Sequence, residues 1–152
     1  MQSLTKTITV IAPGKLNLFL NILGKRHDGY HNIQTLFQLI DIGDEISFEV
    51  IKENEIVLSH DLVGVRSEDN LIVKSAKLLQ TAANIKNGCH INLKKFLPVG
   101  AGLGGGSSDA ATTLLTLNML WGCNLNTDNL AMLGGSLGAD IPVFIHGQSA
   151  LG

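Results

Sequence analysis

Residues Pro98 to Ala111 read PVGAGLGGGSSDAA. Five of the seven residues from Gly100 to Gly106 are glycine, and two serines and an aspartate follow. Glycine accepts positive φ and adds no bulk, so several backbone N–H groups can turn toward one guest. His90 to Leu97, before the run, alternates like a strand, and a helix is expected from about Ser107 to Leu120. Strand, glycine loop and helix together suit a phosphate. The helix N-terminus presents N–H donors and the positive end of its dipole. A turn with no guest explains the run poorly, because ordering each glycine costs about 0.5–1 kcal/mol relative to alanine.

Two familiar phosphate loops are excluded. A Walker loop places lysine after its last glycine, and here Gly106 stands at that position. Gly100, Gly102 and Gly105 match the dinucleotide pattern GxGxxG. Its acidic partner should end a second strand about 20 residues on, whereas Asp128 opens an expected helix.

The 152 residues are enough for one core, and 45% hydrophobic against 16% charged residues describes an ordered chain. A formal net charge of −2 gives no basic surface for nucleic acid. Cys89 and Cys123 are far apart and read as small buried hydrophobes in a reducing, cytoplasmic setting. The five histidines lack the spacing of a catalytic zinc site, with His60, His90 and His146 in strand-like runs. The longest uncharged run, Ala110 to Thr127, carries threonines and asparagines and follows Ser-Ser-Asp. It reads as a buried helix, not a membrane span.

Along the chain, Thr7–Ala12 and Leu16–Leu23 read as strands separated by Pro13-Gly14. Gln34–Ile40 and Glu45–Ile51 read as strands joined by the turn DIGD, Asp41 to Asp44, and Glu55–Ser59 as a short one. Asn70–Ala83 has helical spacing with Asp69 as N-cap, and a helix from Thr127 to about Leu137 has Thr127 as its cap. Pro142–His146 reads as a last strand. Early strands and later helices make an α+β fold.

GLGGGSSDAA resembles the phosphate loop of the GHMP kinases, the superfamily of galactokinase, homoserine kinase, mevalonate kinase and phosphomevalonate kinase. The resemblance implies ATP-dependent phosphorylation of a small-molecule alcohol. It also implies the family's N-terminal domain, a ribosomal-protein-S5-domain-2-like mixed sheet with helices packed on one side. APGKLNLFLNILGKRHDGYHNIQTLFQLIDIGDEISFE, EDNLIVKSAKLL and LGADIPVFIHG resemble, in order, one branch of that family. Its substrate is a cytidine-diphosphate-linked methylerythritol of the non-mevalonate isoprenoid route.

Phosphoryl transfer needs positioning and charge neutralisation more than covalent chemistry. By resemblance, Asp140 is the catalytic aspartate, though an Asp before Ile-Pro is by itself a common turn residue. Lys15 matches the lysine beside the same hydroxyl, which places the positive charge missing from the loop on the first strands. Gly100, Gly102, Leu103, Gly104, Gly105, Gly106, Ser107 and Ser108 match the ATP phosphate site. Both serines could equally cap the helix.

Ser108 also matches a position facing Mg²⁺, and Asp109 is either a phosphate-side carboxylate or a first-turn helix acid. Asn70 and Lys95 match positions near adenine. On their own they are a helix-start residue and a solvated strand lysine. Tyr30 and His31, in DGYH, match a cytosine site, the ring stacking on the base. Asn17 and Phe37 match further substrate positions, and Phe37 could equally be core.

A kinase for homoserine, mevalonate or galactose would have no base for DGYH to stack on. A non-catalytic nucleotide-binding module would not need Lys15 and Asp140 together. The family resemblance implies a second domain after Gly152. Residues 1–152 are therefore expected to be the ATP- and substrate-binding N-terminal domain, with an apolar face open to self-association.

Overall fold

Two long strands form where the sequence suggests four. The computed structural model describes residues 7–25, 31–60, 66–98 and 102–151. Strand β1 is Thr7–Lys25 and β2 is His31–Ile51. They pair antiparallel, and the register shifts where Pro13 faces Gly43 and Lys15 faces Leu39. Proline, which has no N–H to give the ladder, falls at that irregularity and bends β1 without ending it. The expected DIGD turn lies inside β2 on the opposite side of the same irregularity. Gly43 is required there: a Cβ would fall on the backbone of Ala12 and Pro13.

The short β3, Ile56–Ser59, runs parallel to β4, Gly88–Lys94, and β4 runs antiparallel to β2. The sheet order is β1-β2-β4-β3. Ile46, Phe48, Leu58, Cys89, Ile91 and Leu93 are buried on one face, while Thr9, His90 and Asn92 are exposed on the other. Helices α1 (Leu71–Ala82), α2 (Gly105–Leu120), α3 (Thr127–Gly135) and α4 (Ile141–Leu151) all contribute to the core on the buried face. The expected α+β fold, a mixed sheet with helices on one side, is the observed one. Burial pushes the Cys89 thiol up to about 11, so it behaves as the small hydrophobe its sequence setting suggested. Among the described residues, no helix is long and apolar enough to cross a membrane.

The last expected strand is a helix. Val143, Phe144 and Ile145 favour strands locally, but Ile141, Phe144 and Ile145 are all fully buried, which is spacing i, i+3, i+4. Pro142 sits in the first turn, where its missing N–H costs nothing. His146 is therefore an exposed helix residue, not a strand one.

The caps move by one residue. Asn70, not Asp69, caps α1, accepting from the Ile72 N–H at 2.8 Å. Asn126, not Thr127, caps α3, accepting from Asn129 at 2.8 Å. Gly104, with φ of 69°, precedes α2, so neither Ser107 nor Ser108 is its cap.

Candidate active site

The glycine loop is built by two tethers to β1. The Lys15 N–H donates to the Leu103 carbonyl at 2.9 Å. The Ser108 hydroxyl donates to the Pro13 carbonyl at 2.5 Å. Both partners lie at the irregularity of β1, where backbone groups turn away from the sheet ladder. Gly102 and Gly104 have φ of 75° and 69°, values a side chain would resist. The Ser108 N–H closes the first turn of α2 on the Gly104 carbonyl at 2.9 Å. The amides of Gly105, Gly106 and Ser107 precede that bond, and Gly106 is exposed. They are placed as anion donors. Gly100 lies outside the described residues.

Three elements meet at Gly104. A Cβ there would lie 2.7 Å from the tip of the Phe144 ring and 3.1 Å from Lys15 Cε. The lysine of β1 therefore lies against the loop, and its ammonium donates to Asn17 Oδ1 at 3.3 Å. Asp140 is exposed just before α4, one turn ahead of Phe144, and its carbonyl accepts from the Phe144 N–H at 3.4 Å.

Two substrate-side candidates are cross-strand partners, since Asn17 pairs with Phe37. Phe37 lines a cleft of about 530 Å³ with Ile11, Pro13, Leu39, Asp41 and Gly147. His31 begins β2, and its side chain and all of Tyr30 lie outside the described residues. Asn70, at the head of α1, borders the loop through Leu71, which a Cβ at Gly106 would approach to 3.9 Å.

Lys95 is not a solvated lysine and is not in a strand. Its side chain is 16% exposed, and its ammonium donates to Asp44 Oδ2 at 2.6 Å and to Asp109 Oδ2 at 3.1 Å. β4 ends at Lys94 because the next amides leave the sheet. Asp44 Oδ1 takes the Phe96 N–H at 2.8 Å and the Leu97 N–H at 2.9 Å. Sequence reading missed Asp44, since Gly43-Asp44 carries the composition of a turn.

The two carboxylates differ. Burial by itself raises the Asp44 carboxyl. The bond with Asp109, the two backbone N–H groups and the Lys95 ammonium outweigh burial and hold it below the usual carboxylate range. Burial pushes Asp109 up to about 8, and Asp44 adds to the rise against the opposing pull of Lys95. Oδ1 of Asp109 is buried and finds no protein donor.

A consequence for stability follows. Asp109 holds a proton in the folded state that an unfolded chain releases above the ordinary value of 3.8. Its contribution is complete below that value and is lost as pH rises toward about 8. Asp44, lowered, acts only at more acid pH, and Lys95, raised, only above 10.5. Asp109→Asn should therefore melt progressively higher relative to the wild type as pH rises from 5.5 to 8. Parallel melting curves across that range would refute it.

Ser108 does not fit as a magnesium ligand. It is fully buried and its hydroxyl is committed to Pro13. Among the described residues, no group of His, Cys, Asp and Glu could hold a metal ion.

The family "GHMP kinases N terminal domain" matches residues 70–148. The 4-diphosphocytidyl-2-C-methyl-D-erythritol kinase of Pseudoalteromonas translucida (strain TAC 125) is 56% identical over 151 residues, which is 99% of this chain and 53% of that protein. The enzyme of the same name from Pasteurella multocida (strain Pm70) is 55% identical over 138 residues, covering 91% and 47%. A crystal structure of 4-(cytidine 5'-diphospho)-2C-methyl-D-erythritol kinase superposes with TM-score 0.81 and 38% identity, over 92% of this chain and 49% of that one. A mevalonate kinase shares the fold, with TM-score 0.66 at 20% identity over 90% and 47%. The chain thus spans about half the length of the curated relatives it matches.

Proposed function

Because this chain belongs to the GHMP kinases, we propose that the protein carrying it transfers the γ-phosphoryl group of ATP to the 2-hydroxyl of 4-diphosphocytidyl-2-C-methyl-D-erythritol. The observation that carries the reading is the seating of Lys15 against the glycine loop. Its N–H bonds Leu103 and its side chain borders Gly104. A cation from β1 thus stands where the sequence offers phosphate amides and no lysine.

In this reading the amides from Gly102 to Ser107 hold the ATP phosphates. Asn70 and Lys95 stand on the adenine side. Asp140 orients the substrate hydroxyl and accepts its proton, while Lys15 offsets the charge that builds on the oxygen. Asn17 and Phe37 form part of the substrate wall, and Tyr30 and His31 take the cytosine. Mg²⁺ is proposed as the companion of the ATP phosphates, and Ser108, whose hydroxyl is committed to Pro13, is not proposed as its ligand. The ion supplies charge neutralisation there and retains most of its waters.

The test is ADP release by the full-length protein, with CDP-methylerythritol offered beside mevalonate, homoserine and galactose. ADP release with CDP-methylerythritol alone is expected. Preference for another alcohol would make the protein a sibling kinase. ADP release with none of them, alongside retained ATP binding, would support a binding module.

A further inference from the structure

We propose that Asp44 is a positioning residue for the nucleotide: through Lys95 and the Phe96–Leu97 backbone it sets the shape of the phosphate-binding loop. This rests on the nucleotide reading of that loop.

Asp44 is fully buried on β2, and its side-chain bonds to Lys95, Phe96 and Leu97 lead toward the loop. One oxygen fixes the amides of Phe96 and Leu97, the residues that lead into Pro98. The other fixes Lys95. Lys95 in turn reaches Asp109, just past the first turn of α2, and a Cβ on Gly105 would lie 2.9 Å from its ammonium. The ammonium thus lies beside the first residue of α2. The Leu97 side chain completes the arrangement, lying 3.2 Å from a Cβ at Gly14 and 3.6 Å from one at Gly105.

One carboxylate therefore holds both ends of the glycine run, its approach from β4 and its exit into α2. A group needed only for the fold would be better replaced by a hydrophobe, because burying a charge is costly. Here the charge keeps an ammonium against Gly105, where the glycine loop enters α2.

The experiment compares the full-length wild type with Asp44→Asn, by calorimetry with ADP and separately with CDP-methylerythritol. Asparagine retains an oxygen for the two amides and loses the charge that holds Lys95. ADP affinity should fall about tenfold, the scale of one hydrogen bond to a charged group. Affinity for CDP-methylerythritol should stay unchanged, and KM for ATP should rise more than kcat falls. In Lys95→Met, adding Asp44→Asn should cost little more, because Asp44 acts through Lys95.

Wild-type ADP affinity in Asp44→Asn would overturn the proposal. So would equal losses for both ligands, the mark of a general structural role. Should Asp44→Asn not fold, Lys95→Met decides, and unchanged ADP affinity there overturns the proposal too. A wild type that binds no ADP would instead refute the nucleotide reading itself.

Discussion

Asp140→Asn is expected to leave the full-length protein able to bind ATP and unable to transfer its phosphoryl group. The carboxylate stands exposed at the head of α4, so asparagine changes little in the core. The bond from the Phe144 N–H goes to the backbone carbonyl of residue 140 and survives the change. What is lost is the negative charge to which the proposed mechanism gives the orienting of the hydroxyl and the receipt of its proton. A positioned acid–base group contributes roughly 10²–10⁴-fold, and kcat should fall on that scale while ATP affinity holds. The measurements are steady-state turnover and calorimetry with ATP. Turnover above about a tenth of wild type, a loss under about 1.4 kcal/mol, would show that Asp140 is not the essential carboxylate.

Gly43→Ala should be among the most damaging small substitutions on the sheet. At Gly43 the two long strands approach so closely that a Cβ has no room, and its neighbours there are the backbone atoms of Ala12 and Pro13. A side-chain neighbour could rotate away, but two paired strands cannot part without losing ladder bonds. The expected destabilisation is about 3 kcal/mol or more, in the range of severe packing faults. The contrast is Gly135→Ala at the end of α3, where the nearest atom is Pro142 Cγ at an ordinary 3.5 Å. That change should be neutral or mildly stabilising, because alanine is the better helix former. Denaturant midpoints for the two variants test the pair. A Gly43→Ala protein within about 1 kcal/mol of wild type would mean that the strands separate freely at that point.

The features legible in the sequence were those that repeat or cluster. The glycine run announced the loop, and the strand-like run from His90 to Leu97 announced β4, which ends at Lys94. The helical spacing of α1 was visible as well. Failures occurred where a tertiary partner decided. Val143 to Ile145 look like a strand until the burial of Ile141 and Phe144 is known. Pro13-Gly14 looks like a break until β2 is seen to bend with it.

Lys95 looked solvated because its two carboxylate partners lie 51 and 14 residues away. No local pattern connects them. The roles of Lys15 and Asp140 came from resemblance to a family. No spacing rule connects two residues so far apart in the chain.

The bond from Ser108 to the Pro13 carbonyl spans 95 residues. Closing so long a segment carries an entropic cost, and contacts of that range are slow to form. The glycine run has no conformational preference of its own to shape it earlier. The glycine loop therefore cannot mature as a local motif, and it acquires its shape only when β1 and α2 dock. A ribosome that has released only the first hundred residues has produced all four described strands and none of the α2 anchor. The proposed competence to hold a phosphate is then a late product of folding, acquired together with the tertiary structure.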